Sequence, residues 1–155
     1  MSNRSVVHST FTIERTYKAS AARVFAALSD PEKMKQWFAG PEEWGPSTLQ
    51  VDFRVGGSIS DAGGPPGGPV HRMAGVYYDI VPDERIIYAY ELYLADRRIS
   101  VSISTFELVA DGARTHLTLT EAGAYLDGGD GPRLREEGTR ELMDALGRYV
   151  EGTAN

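Results

Sequence analysis

Between residues 70 and 121 the chain carries four stretches of β character in close succession, at 70–81, 85–94, 98–109 and 114–121. The joints are Pro82-Asp83-Glu84, Ala95-Asp96-Arg97 and Asp111-Gly112, residues whose backbone preferences suit tight turns. Connections this short force successive strands to lie antiparallel, because a parallel crossover needs a dozen residues or more. A glycine-rich loop at 123–131 ends the run, and one long amphipathic segment follows at 132–151. Pro132 suits a first helical position and Gly152 a natural stop. Leu134, Gly138, Leu142, Ala145, Leu146 and Tyr149 form one stripe, with Arg135, Glu136, Arg140, Glu141, Asp144 and Arg148 largely off it. An antiparallel sheet with an apolar face must be covered, and this helix is the obvious cover. Where the side chains between a curved sheet and one helix are small, a gap remains.

The first half completes the sheet. At 9–17, Phe11, Ile13 and Tyr17 share one parity, interrupted by Arg15, and Thr10, Thr12, Glu14 and Thr16 the other. Ser20 is placed to cap a helix bearing Val24, Phe25 and Leu28 on one face. Asp30-Pro31 then starts a second short helix with Met34, Trp37 and Phe38 at i, i+3 and i+4. Residues 48–55 alternate cleanly and lead through Gly56-Gly57 into a brief strand at 58–60. The Gly/Pro-rich stretch 61–69 is expected to be a loop. The expected architecture is α+β: a curved antiparallel sheet of about seven strands around a long C-terminal helix, with two short helices between the first two strands.

At this length, 155 residues, the chain is expected to hold one domain, at 8–152, behind a short tail at 1–7. No apolar run reaches the roughly 20 residues of a membrane helix. No secretory h-region is visible at the start, so a cytoplasmic location is the expectation. Cysteine is absent, which removes disulfides, thiolate metal sites and a thiol nucleophile. A net charge of −6 argues against a nucleic-acid partner, since phosphate binding needs clustered Lys and Arg.

Three segments resemble the START-like, or SRPBCC, superfamily: Phe11-Thr-Ile-Glu-Arg-Thr-Tyr17, Val24-Phe-Ala-Ala-Leu28 and Asp30-Pro-Glu-Lys-Met-Lys-Gln-Trp37. Asp52-Phe-Arg-Val-Gly-Gly57, Ile80-Val-Pro-Asp-Glu-Arg-Ile-Ile87 with Tyr88-Ala-Tyr90, and Arg114-Thr-His-Leu-Thr-Leu-Thr-Glu121 add to the likeness. It is similar in particular to the branch of AHSA-type homologues, named after a heat-shock-protein ATPase activator, over about residues 8 to 150. The resemblance implies a helix-grip fold with a hollow between sheet and C-terminal helix, often occupied by an apolar small molecule. It implies no single reaction, for the superfamily spans lipid carriers, hormone receptors, cyclases and co-chaperone domains. Family helices commonly carry a Gly-Trp pair early on; this chain has Gly138-Thr139.

No catalytic constellation stands out. His8, His71 and His116 lie far apart and in no metal-binding spacing, so neither a metal nor a cofactor is expected. His116 lies on the polar parity of its strand. The family pattern turns His71, Met73 and Tyr77 inward, with His71 either a rim residue or an acid/base at a cavity mouth. On 85–94 one parity is wholly apolar and includes Tyr88 and Tyr90, whose hydroxyls need partners if buried. Glu121 continues the inward parity of Leu117 and Leu119, as Arg15 does that of Phe11 and Ile13. Each of these charges must either reach water at a strand end or find a partner. Ser104 is a small inward residue that makes room. The glycines of 61–69 lack a P-loop lysine and a following helix, which argues against nucleotide binding.

The candidate ligand-binding residues are therefore Phe25, Trp37, Phe53, His71, Met73, Tyr77, Tyr88, Tyr90, Ser104, Phe106, Leu119, Glu121, Leu142 and Leu146, with no catalytic residue assigned. The expected activity is binding of an apolar small molecule, such as a lipid, an aromatic or a polyketide-like compound. A cyclase- or hydrolase-type enzyme using His71, a tyrosine or Glu121 is the alternative, and a co-chaperone or interaction module the third. An exposed edge strand or the Trp44 loop would be the place for a homodimer.

Overall fold

Seven strands form one antiparallel sheet in the computed structural model, which describes residues 4–38, 44–45, 48–129 and 131–152. The chain opens with β1 (Val6–Tyr17), followed by α1 (Ala21–Ser29) and α2 (Pro31–Met34). Two short strands, β2 (Gln50–Val51) and β3 (Ser58–Gly63), lead into four long ones: β4 (His71–Val81), β5 (Arg85–Leu94), β6 (Arg97–Asp111) and β7 (Arg114–Leu126). Helix α3 (Pro132–Gly152) ends the described chain. The sheet order is β1-β7-β6-β5-β4-β3-β2, so only the β1–β7 pairing joins strands distant in sequence. This is the expected α+β helix-grip arrangement.

Local chemistry accounts for the helix boundaries. The Ser20 hydroxyl accepts from the Arg23 N–H at 3.2 Å and starts α1. Asp30 caps α2 by accepting from Glu32 N–H at 3.0 Å, with Pro31 behind it. Helix α2 stops at Met34, so Trp37 and Phe38 lie in the turn beyond it rather than on the helix. The Trp37 indole N–H donates to the Ala27 carbonyl at 2.9 Å, locking the turn onto α1.

Several strand boundaries differ from expectation, beginning with β1, which starts at Val6 rather than at 9 and so takes up the last two residues of the expected 1–7 tail. The alternating stretch 48–55 pairs only at Gln50–Val51. Beyond it, the Arg54 N–H turns back to the Asp52 carbonyl at 2.9 Å and Gly57 N–H to the Arg54 carbonyl at 2.8 Å. The side chains of Asp52 and Arg54 also pair, at 2.9 Å, so local bonds outcompete a ladder here. Asp61, Ala62 and Gly63, assigned to a loop by their composition, extend β3 by pairing with Met73, Arg72 and His71. Strand β7 continues past Glu121 to Leu126, because Val6 to Thr10 of β1 run alongside residues 122–126. The expected 123–131 loop therefore starts only after Leu126.

The core lies between the sheet's concave face and the helices. Ile13, Leu117, Leu119, Ile86 and Ile59 come from the sheet, Val24 and Leu28 from α1, and Met143, Leu146 and Val150 from α3. The buried face of α3 is rotated from the expected stripe: Arg135, Met143, Leu146, Gly147 and Val150 are buried, whereas Leu134 is 65% exposed. Gly147 is the closest approach, since a Cβ there would stand 2.8 Å from the Tyr17 ring. The Tyr17 hydroxyl meanwhile donates to the Met143 carbonyl at 2.7 Å. Glu136 and Arg140 pair at 2.7 Å as their spacing suggests. Asp144 instead reaches Arg15 at 3.1 Å, which gives that interrupting charge its partner.

Candidate functional site

A cavity of about 650 Å³ lies between the sheet and α3. Its origin is visible in the register. One row across the sheet reads Gly75, Tyr90, Ser102, Gly123, and the next reads Tyr77, Tyr88, Ser104, Glu121. Glycine and serine fill little of the space beneath the helix, and of the larger members of these rows Tyr88, Tyr90 and Glu121 rise into it. On the helical side Arg135, Gly138, Thr139 and Leu142 face the opening, and a Cβ on Gly138 would meet nothing within 4 Å.

The deep wall is aromatic. The Tyr88 and Phe106 rings lie 6.1 Å apart and near parallel, at 20°, and the Tyr90 ring is 5.7 Å from Tyr88. Met73, Leu92 and Leu119 complete it. At the mouth the His71 ring stacks on Trp44, with centroids 4.8 Å apart, beside Asp61. Burial pushes the Asp61 carboxyl above the usual range, although the Ala62 and Thr48 N–H groups oppose this by donating to it at 2.9 and 3.2 Å.

A buried polar cluster sits against this wall. Glu121 accepts from the Ser104 hydroxyl at 2.8 Å and from the Tyr90 hydroxyl at 3.0 Å. Arg135 reaches the same carboxylate at 3.4 Å, and both side chains are less than a tenth exposed. The guanidinium also donates to the Tyr90 hydroxyl at 3.0 Å, to Ser102 at 3.3 Å and to Ser100 at 2.6 Å. Its carbon lies 5.3 Å from the Tyr125 ring centroid and 5.6 Å from that of Tyr90. The charges cancel within the cluster and each is hydrogen-bonded, which is what makes their burial tolerable. Burial first, and then the Glu121 charge, raise the Tyr88 and Tyr90 hydroxyls well above the ordinary tyrosine range; Arg135 pulls both back only in part. Both phenols therefore stay protonated at neutral pH.

Of the expected residues, Trp37, His71, Met73, Tyr88, Tyr90, Ser104, Phe106, Leu119, Glu121 and Leu142 line this cavity. Four do not. Leu146 is fully buried in the core. Phe25 of α1, Phe53 and Tyr77 pack edge to face, at 5.8 Å and 5.0 Å, with Tyr77 in the core and the other two half-buried against it. Tyr77 faces a separate void of only about 20 Å³. Parity turns these residues inward correctly but does not say which part of the interior is filled. His116 is on the solvent side, bonded to Thr16 at 2.8 Å and Asp111 at 3.1 Å. Among the described residues no cluster of His, Asp or Glu could hold a metal, and no helix is long and apolar enough to cross a membrane.

Arg135, Ser100 and Ser102 escaped the sequence reading. Arg135 was placed off the apolar stripe, yet 135, 139, 142, 146 and 150 follow helical spacing along the inner face. Ser100 and Ser102 share the inward parity of Ser104, and three inward serines opposite one arginine were the available signal.

The family description "Activator of Hsp90 ATPase homolog 1-like protein" matches residues 18–151. A protein of Rhizobium leguminosarum, of no stated function, is 41% identical and superposes with a TM-score of 0.91 over 97% of this chain and 99% of its own. The Mll3558 protein of Rhizobium loti is 43% identical, with a TM-score of 0.87 over 94% of this chain and 99% of its own. DynU16, a protein of the dynemicin biosynthetic locus, shares the fold at 17% identity, with a TM-score of 0.66 over 92% of this chain and 47% of its own. No curated protein matches the chain.

Proposed function

We propose that this chain, which belongs to the activator of Hsp90 ATPase homolog 1-like family, is a small-molecule binding protein that holds an apolar ligand between its sheet and α3. The observation that carries this reading is the cavity itself. Its volume of about 650 Å³ falls within the range of small-molecule sites, and its wall combines aromatic and aliphatic side chains with a few fixed polar groups. Desolvation of the ligand drives binding at roughly 25 cal/mol per Å² buried, while the polar groups orient it. The aromatic wall of Tyr88, Tyr90 and Phe106 favours a ligand with a flat aromatic part over others. Native mass spectrometry of freshly purified protein tests the reading directly. A retained small molecule, or a raised melting temperature with members of a panel of lipids, aromatics and polyketides, supports it. Neither a retained molecule nor any shift across the panel defeats it.

A cyclase- or hydrolase-type enzyme is the second reading, and the Tyr90–Glu121 contact at 3.0 Å favours it, since a proton donor and a carboxylate acceptor meet at the cavity wall. His71 sits apart at the mouth against Trp44, so such chemistry would rest on the tyrosine and the carboxylate alone. Retention of an unaltered ligand over many hours would exclude turnover of that ligand. A protein-interaction or homodimer role has one supporting feature. Val76, Val101 and Ile103 are 38%, 40% and 51% exposed on the outer face of the sheet. Light scattering after size exclusion would decide whether copies associate.

A further inference from the structure

We infer that the ligand is uncharged and carries a hydrogen-bond acceptor, a carbonyl or ether oxygen, at the end that lies against Tyr88; this rests on the binding reading above. The inner cluster is balanced. Glu121 is its one carboxylate and Arg135 its one guanidinium, 3.4 Å apart and buried together. The donors that face Glu121 are spent on it: Ser104 on Oε1, Tyr90 and Arg135 on Oε2. The guanidinium is spread further over Tyr90, Ser102 and Ser100.

An anionic head entering this end meets the Glu121 charge while the guanidinium is already engaged. A cationic head loses its water and finds a carboxylate already neutralised. Either ion carries a desolvation cost that nothing in the cluster offsets. Nearer the mouth the balance tilts against anions, since Asp61 and Glu141 stand there with Arg148.

Tyr88 is the group left to recognise the ligand. It lines the cavity beside Ser104, its direct cross-strand neighbour. The Ser104 proton is committed to Glu121, so Tyr88 meets the Ser104 hydroxyl as donor, and its proton can exchange that neutral acceptor for a ligand oxygen. Burial and the Glu121 charge keep that phenol protonated, making Tyr88 a donor throughout the physiological range. The near-parallel rings of Tyr88 and Phe106 offer a face to a flat molecule.

Four fluorescent probes of one shape separate the possibilities: pyrene, 1-acetylpyrene, 1-pyrenecarboxylate and 1-pyrenemethylammonium, titrated into wild type and Tyr88→Phe. The ketone is expected to bind about tenfold more tightly than pyrene, one hydrogen bond's worth, and more tightly than either ion. Tyr88→Phe should bring 1-acetylpyrene down to the affinity that pyrene shows for the same variant, so that the ratio of the two, about ten in wild type, falls to about one. Glu121→Gln removes the negative partner and should raise 1-pyrenecarboxylate binding selectively; should that variant fail to fold, the wild-type ranking and Tyr88→Phe still decide. An ion that binds wild type as tightly as the ketone overturns the inference, as does a ketone advantage that survives Tyr88→Phe. Equal binding of all four probes also overturns it, yet leaves the binding reading standing. No binding by any probe, with no molecule retained on purification, removes both.

Discussion

Replacing Arg135 by methionine tests whether the polar cluster is one energetic unit. Methionine keeps most of the side-chain length but deletes the guanidinium, leaving Glu121 with Ser104 and Tyr90 as its donors and no cation. The carboxylate stays about as buried as it is now, at 3% exposed. Removing one partner of a buried ion pair costs about 3–5 kcal/mol, because the other charge is left uncompensated. The lower end applies here, since the cavity can admit water beside the carboxylate and two hydroxyls still point at it. A loss of about 3 kcal/mol lowers the melting temperature of a domain this size by roughly 6–12 °C. The control is the double variant Arg135→Met/Glu121→Leu, in which no charge remains to be stranded. Denaturant unfolding of wild type, both single variants and the double variant closes a thermodynamic cycle. The double variant should be more stable than Arg135→Met alone. If Arg135→Met falls within about 1 kcal/mol of wild type, or the two single losses simply add, the pair is not coupled as the geometry says.

Two glycines on the same helix should respond to alanine with opposite sign. Gly147→Ala brings a methyl to 2.8 Å from a Tyr17 ring held by its bond to Met143, and should destabilise by about 1–3 kcal/mol. Gly138→Ala meets nothing within 4 Å and should stabilise by up to about 1 kcal/mol; urea midpoints moving in the same direction would contradict the packing described. Asp61→Asn addresses the mouth. Because the folded-state value of Asp61 is raised, folding favours its protonated form, and its contribution to stability is lost as pH rises through that value. The asparagine variant should therefore match wild type in acid, below the ordinary aspartate range, and exceed it at pH 7; a variant less stable at pH 7 would refute this. In an alkaline absorbance titration, at least Tyr17, Tyr77, Tyr88 and Tyr90 of the eight tyrosines should stay protonated until the protein unfolds. Full, reversible ionisation near pH 10 would show that these phenols are not buried as described.

The antiparallel sheet was legible because its signals were local. Turn residues at 82–84, 95–97 and 111–112 set the hairpins, and strict parity on 85–94 turned Tyr88 and Tyr90 inward. The stretch 48–55 misled because its alternation is equally compatible with a short bridge followed by the Asp52–Arg54 turn, and only hydrogen-bond competition separates the two. The polar cluster was hidden for a different reason. Strand β6 reverses the usual pattern: Ser100, Ser102 and Ser104 point inward, while Val101 and Ile103 face out. Over 100–104 alone the strand gives the wrong face as the buried one, and Phe106 and Leu108 on the serine parity correct it. Its neighbours set its orientation, since Ser104 lies opposite Tyr88 on one side and Glu121 on the other. Once the serines are placed inside, they need hydrogen-bond partners, and so do Glu121 and Arg135; each hydroxyl answers one of those needs. The reversed polarity of β6 is thus the trace that the cluster leaves in the sequence. It becomes readable only when three serines on one strand, a glutamate on the next and an arginine on the helix are considered together.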